Sequence, residues 1–315
     1  MNILLTGATG FIGRSLLRKL RQEGFGVSVT VRSKSNLFDD NVKQFVVGDL
    51  AHDVDWLAVL KNINCVIHLA GKAHDKNLEN GVGLSEFYNI NTKQTLKLAR
   101  ASSDAGVSRF IFLSSIGVNG SSTTVPFTEK DLPNPIGEYA HSKHRAELGL
   151  LDIASATKME VVIIRPPLVY GANAPGNFGR LLKWAALKFP IPLPLGRIDN
   201  SRSLLSIDNL IGFILVCILH KKAANEVFLI SDDVDLSTSD FLHALKLAFG
   251  YKAWLFPMPR IVMTFGAKLI RKELDVFRLF SSLEIDITKS KRQLGWTSKV
   301  TMAQSLKKVV DETNI

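Results

Sequence analysis

The stretch Asn2-Ile3-Leu4-Leu5-Thr6-Gly7-Ala8-Thr9-Gly10-Phe11-Ile12-Gly13 decides how this 315-residue chain is read. An apolar run leads straight into three glycines, each separated by two residues. From Phe11 to Glu23 the apolar positions Ile12, Leu16, Leu17 and Leu20 fall on one face of a helix. A strand, a glycine turn and a helix, in that order, set a helix N-terminus where a pyrophosphate can reach it. The glycines let the backbone approach closely, and the free N–H groups and helix dipole favour an anion. In this context the motif predicts dinucleotide binding.

Gly24 ends the first helix, and residues 27–31 read as a second strand. Strand-like runs follow at 44–47, 65–69, 110–113 and 161–164. Helical patterns separate most of them, at 56–61, 84–105 and 136–157. Such alternation predicts an α/β chain with a doubly wound parallel sheet covered on both faces. After Pro166 prolines crowd as far as Pro194, and Pro190, Pro192 and Pro194 suit no central strand. Helices are expected at 207–219, 238–249, 260–270 and 302–310, and a strand at 226–230. The organisation read from this is a nucleotide-binding domain over 1–172 and a smaller, mainly helical substrate-binding lobe over 173–315. The stretch 206–231 is expected to return to the main sheet.

Hydrophobic residues make up 46% and charged residues 22%, ordinary for a globular protein. Cys65 and Cys217 lie inside apolar runs and read as reduced core residues of a cytoplasmic protein. Met1 opens on a strand rather than a charged leader, and the apolar run 210–219 is too short to span a bilayer. The net charge of +10 attracts anions. Without a basic arm or interleaved aromatics, nucleic acid is not expected. A nucleotide accounts for the charge equally well, and an acidic membrane surface is a further candidate for peripheral association.

Tyr139 and Lys143 stand four residues apart on a helical pattern, so both project from one face. An ammonium there would favour the phenolate and make the phenol a usable acid or base near neutral pH. At the end of the second strand, Val31-Arg32-Ser33-Lys34 contains no acid to bond an adenosine ribose. NADP(H) is therefore favoured, with NAD(H) possible. His68, His74, His141 and His144 fall on separate elements and no metal-ligand spacing occurs. His68 reads as structural, His141 and His144 as solvated.

The chain resembles the extended short-chain dehydrogenase/reductases, in the branch that modifies sugar nucleotides and has a Rossmann-like fold. The resemblance runs nearly end to end, through the glycine stretch, Gly48-Asp49-Leu50 and Val66-Ile67-His68-Leu69-Ala70. It continues through Asn91-Thr92, Phe112-Leu113-Ser114-Ser115, Tyr139-x-x-x-Lys143, Arg165-Pro166-Pro167-Leu168-Val169-Tyr170-Gly171 and Leu294-Gly295-Trp296. It implies Ser115, Tyr139 and Lys143 as catalytic residues, Ser115 bonding the substrate oxygen and Lys143 holding a ribose. Cofactor contacts are implied for Gly7, Thr9, Gly10, Phe11, Ile12, Gly13, Arg32, Asp49, Leu50, Leu69, Ala70, Gly71 and Asn91, and for Tyr139, Lys143, Pro166 and Leu168. Asn177 and Arg202 are implied to contact the substrate with Ser115, and Asp208 reads as a helix cap. Where the family carries a tyrosine in V-Y-G, this chain has Asn119 in Val118-Asn119-Gly120.

The resemblance also implies the reaction. Ser115 is followed by Ile116-Gly117, which cannot move a proton, so a 4,6-dehydratase is not expected. Arg32 and the stretch through Gly176-Asn177-Phe178 favour reduction of a UDP-4-keto-6-deoxy-HexNAc for surface-polysaccharide synthesis. The alternative is a UDP-glucose or UDP-GlcNAc 4-epimerase. A non-catalytic NADP(H)-sensing regulator is the reading of another class. A homodimer is expected.

Overall fold

A computed structural model describes residues 1–73, 86–189, 191–269, 277 and 279–313. Residues 84, 85, 190 and 270, to which the sequence reading extended, lie outside them. Seven strands form one sheet: β1 (Asn2–Thr6), β2 (Gly26–Val31), β3 (Lys43–Val46), β4 (Cys65–His68), β5 (Arg109–Leu113), β6 (Glu160–Arg165) and β9 (Glu226–Leu229). Their order is β3-β2-β1-β4-β5-β6-β9, and every pairing is parallel. The order reverses between β1 and β4, which opens a crevice at their carboxyl ends.

Side chains of successive residues leave a strand on opposite faces, and this sorts the core into two layers. Ile3 and Leu5 of β1, with Ile111 and Leu113 of β5, join one cluster. Leu16 and Leu20 of α1 (Phe11–Gln22) and Leu210, Phe213 and Cys217 of α5 (Ile207–Leu219) cover that face. Leu4, Phe110 and Phe112 point the other way. They meet Leu98 of α2 (Thr95–Asp104) and Ala146, Leu150 and Ile153 of α3 (Glu138–Ala156). Cys65 and Cys217 are buried free thiols.

Local backbone chemistry sets several boundaries. Gly137 has φ +83°, so α3 starts at Glu138 and not at 136. The stretch 56–61 is not a helix. Leu60 N–H reaches Trp56 O at 3.0 Å for a single turn, and Asn62, at φ 62°, then turns the chain away. Ahead of α2 the backbone winds as a wider π-helix over Tyr88–Gln94.

A second, three-stranded sheet was not expected. It comprises β7 (Leu168–Tyr170), β8 (Arg202–Ser206) and β10 (Asp235–Leu236), in the order β10-β8-β7. Asp232 binds it to the main body. Its carboxylate accepts from Tyr170 OH at 2.8 Å, Asn209 Nδ2 at 2.7 Å and Ser206 N–H at 3.0 Å. Around this sheet α4 (Gly176–Ala186), α6 (Thr238–Ala248), α7 (Arg260–Leu269) and α9 (Met302–Glu312) pack on a third apolar cluster that includes Phe178, Leu182, Leu242 and Leu306. The short helix α8 (Thr288–Leu294), also unexpected, ends at Gly295 in the left-handed conformation.

Candidate active site

A groove of about 710 Å³ opens at the carboxyl ends of β1, β2 and β4. Nine of the residues expected at a cofactor line it: Gly7, Thr9, Gly10, Arg32, Asp49, Leu50, Leu69, Ala70 and Gly71. Its floor is built by close packing. Gly7 has φ +71°, and a Cβ on it would sit 2.7 Å from Ala70 N. A Cβ on Gly13 would overlap the Gly7 carbonyl, so α1 abuts the turn only because both positions lack side chains. Gly10 lines the groove and precedes α1 without a side-chain cap, so no side chain takes up the N–H groups of the first turn. Phe11, Ile12 and Gly13 therefore shape the site as the first turn of a helix and do not line the wall. Phe11 instead packs near Gly171.

A buried chain of bonds sets the far wall. Ala70 N–H donates to Thr6 Oγ1 at 3.2 Å, and Thr6 Oγ1 meets His68 Nδ1 at 2.8 Å. His68 Nε2 meets Thr95 Oγ1 at 2.9 Å. One ring nitrogen of the neutral imidazole donates and the other accepts, so His68 links the two threonine hydroxyls in either tautomer. Burial, then the Lys143 charge, pushes the imidazole down to about 3, so it stays neutral.

Asn91 lies within the π-helix, a geometry frequent at functional sites. Its Oδ1 accepts from Lys72 N–H at 2.8 Å, and its Nδ2 donates to Lys72 O at 2.9 Å and Ser142 Oγ at 3.0 Å. It thereby ties the groove to α3 one residue before Lys143. A Cβ on Gly71 would lie 3.0 Å from Asn91 Oδ1 and 3.5 Å from Lys143 Nζ, which places the amine at the groove's end.

Lys143 is buried. Its Nζ donates to Leu113 O at 2.9 Å and stands 4.5 Å from the centre of the Phe112 ring. Burial, partly offset by Glu147, lowers it to about 8. Ser115, two residues beyond β5, takes an extended backbone, and its Oγ accepts from Gly117 N–H at 3.1 Å. A Cβ on Gly117 would be 3.3 Å from that oxygen and 3.5 Å from Ala140 Cβ, so the Ser115 turn rests on α3 beside Tyr139. Tyr139 is half-buried, and its ring stands edge-on to Phe87 at 6.4 Å. Pro166 O accepts from Ile116 N–H at 2.9 Å, which sets the buried Pro166 beside the same turn, with Leu168 exposed two residues on.

The expectation that Lys143 lowers the Tyr139 pKa does not hold in this arrangement. Burial alone pushes the phenol up to about 12, and the amine is engaged with the Leu113 carbonyl. His144 also departs from the solvated reading: it is half-buried, and burial lowers its pKa. His74 lies outside the described residues.

Asn177 is the second residue of α4. Arg202 opens β8, and its Nη1 donates to Ser281 O at 2.7 Å. Arg202 does not line the groove. The sequence reading missed Lys72 and Glu86, which do line it and pair at 2.5 Å. It also missed the pair Arg165–Glu147, both buried, with Nη2 to Oε2 at 2.5 Å. Arg165 Nη1 also donates to Asn119 Oδ1 at 2.9 Å, so the asparagine where the family has a tyrosine ties β6 to the turn after Ser115. Residues separated this far in sequence carry no local signal. Among the described residues no three His, Cys, Asp or Glu side chains gather as metal ligands.

The model of the NAD dependent epimerase/dehydratase family matches residues 3–231. The chain is 40% identical over 310 residues to the UDP-glucose 4-epimerase of Vibrio cholerae, covering 97% of this chain and 93% of that protein. In structure it is similar to the UDP-glucose 4-epimerase of Thermotoga maritima bound to UDP-glucose, with TM-score 0.78, 24% identity and coverage of 99% and 98%. It is similar also to the UDP-glucuronic acid 4-epimerase of Bacillus cereus in complex with NAD, with TM-score 0.80, 21% identity and coverage of 99% and 96%.

Proposed function

We propose that this chain, which belongs to the NAD dependent epimerase/dehydratase family, exchanges hydride at C4 of a UDP-sugar. The observation that supports this reading is Lys143 Nζ beside Gly71 at the end of the groove, with the Ser115 turn resting on the same helix one residue from Tyr139. The glycine cradle fits a dinucleotide, since Gly7 and Gly13 let the turn, α1 and the Ala70 backbone pack closely beneath a groove that Gly7 and Gly10 line without side chains. Bound there, a nicotinamide dinucleotide supplies the hydride donor or acceptor.

The chain's own residues supply the rest. Gly7, Gly10 and the first turn of α1 bind the pyrophosphate. Lys143 holds the inner ribose, with Asn91 keeping α3 in place. The Ser115 hydroxyl bonds the C4 oxygen while charge develops on it, and the Tyr139 phenol gives that oxygen its proton. Asn177 and Arg202, at the starts of α4 and β8, are assigned to the nucleotide half of the substrate.

Of the outcomes this site allows, we favour reduction of a UDP-4-keto-6-deoxy-HexNAc. Exposed Arg32 and Lys34 rim the outer end of the groove with no acid at the end of β2, which suits an exchangeable NADPH. A phenol kept protonated suits donation to a ketone. The second reading is a 4-epimerase with retained NAD, which the V. cholerae relative supports by its name and its 40% identity.

One pair of incubations tests both. NADPH consumed in proportion to added UDP-4-keto-6-deoxy-HexNAc supports the reductase. Interconversion of UDP-glucose or UDP-GlcNAc without added reductant replaces it with the epimerase. Turnover in neither overturns the C4 assignment.

A further inference from the structure

Two stretches of the second lobe contain no acid. From 176 to 198 the charged residues are Arg180, Lys183, Lys188 and Arg197, and from 241 to 272 there is again no Asp or Glu. The fold joins these stretches. Leu193 N–H donates to Trp254 O, Phe256 N–H to Leu193 O and Gly196 N–H to Phe256 O, each at 3.0 Å. Buried Lys246 donates to Trp184 O at 3.2 Å and Leu187 O at 2.5 Å, bracing the end of α4 against α6.

The joined stretches leave large apolar side chains in solvent. Phe189 is 83% exposed and Trp254 57%. On α7, Ile261 is 82% exposed, Phe265 66% and Val262 53%, while Met263 packs inward on the third cluster. Ile261 and Phe265 lie one turn apart on one stripe, and Arg260 and Lys268 flank it. Lys188, Lys252, Arg260 and Lys268 are all exposed.

We propose that this face docks on an anionic lipid bilayer, with α7 lying in the headgroup plane. A helix with an apolar stripe beside cations is the form that binds such an interface. Trp254 and the phenylalanines match the depth at which aromatic rings settle. The charge is complementary to anionic lipid and to no copy of itself: a two-fold contact through this face would set its cations against one another.

Flotation of the full-length protein with vesicles tests this. The protein is expected to float with phosphatidylglycerol-containing vesicles at low salt, to be released at high salt, and to stay behind with phosphatidylcholine alone. Trp254 emission should shift to the blue on binding, and the shift should vanish in Trp254→Phe. Lys252→Gln and Lys268→Gln should each weaken partition about five-fold. Ile261→Ser with Phe265→Ser should abolish it while turnover of soluble substrate is unchanged. Failure to float on the anionic vesicles, or flotation that the Ser variant retains, overturns the proposal. So does a wild-type dimer that the Ser variant converts to monomer, since a second copy would then be the occupant.

Discussion

Replacing Lys143 with methionine is expected to stabilise the protein while disabling it. The side chain is 4% exposed, and burial takes its ammonium from 10.5 to about 8 despite Glu147 one helical turn on. At about 1.4 kcal/mol per pH unit, keeping that charge inside costs roughly 3 kcal/mol at pH 7. Methionine has similar length and no charge to desolvate. Its substitution abandons the bond to Leu113 O, which takes back about 1–2 kcal/mol. The net gain is therefore about 1–2 kcal/mol, worth roughly 2–4 °C in Tm for each kcal/mol in chains of somewhat smaller size. The pH dependence fixes the cause. The folded-state pKa lies below the unfolded one, so the cost is complete below about 8 and fades as pH rises toward 10.5. The variant's advantage should thus be largest at pH 7 and small at pH 10. Urea unfolding followed by circular dichroism at both pH values, without nucleotide, measures it. A variant less stable than wild type at pH 7, or one with the same advantage at both, refutes the reasoning.

Tyr139→Phe should lower kcat by about 10²-fold or more with nucleotide affinity retained, as single-turnover kinetics and titration would show. Arg32→Ala should weaken NADPH far more than NADH, and equal losses in the two Kd values would show that Arg32 does not read the 2′-phosphate. Arg165→Met strands Glu147, which is 2% exposed, and should cost about 3–5 kcal/mol in thermal unfolding. Adding Glu147→Gln should recover much of that, and a double variant as unstable as the single one would contradict it.

Local spacing made part of this molecule legible. Gly7, Gly10 and Gly13 need only their neighbours to announce a strand-to-helix turn, and Tyr139 with Lys143 needs only helical periodicity. The parallel sheet followed from the alternation of short apolar runs and helices. What escaped depends on contacts between distant residues. Residues 56–61 have a helical apolar spacing, but Asn62 turns back after a single turn. Strands β7 and β10, with three and two residues, are held by Asp232 and by β8, and no periodicity can reveal them. Burial of Tyr139 raises its pKa, against the lowering that the i,i+4 spacing to Lys143 suggests, and Lys143 donates to Leu113, 30 positions away. His68 is a strand end in sequence. Only the structure shows it carrying a hydrogen-bond chain from Thr95 to the groove wall at Ala70.

The position of β9 governs how the chain can be made. It pairs in register with β6, Arg165 opposite Leu229, so the partner arrives 64 residues (229 − 165) after the strand it completes. At about 5–20 residues per second a ribosome needs roughly 3–13 s to supply it. Throughout that interval the nascent sheet ends at β6, whose Val161 to Arg165 are wholly buried in the finished fold. Such an uncovered edge invites pairing with another chain. Production of this protein in quantity is thus expected to depend on chaperone supply and on slow synthesis, and a chain terminated before residue 226 should be recovered as aggregate.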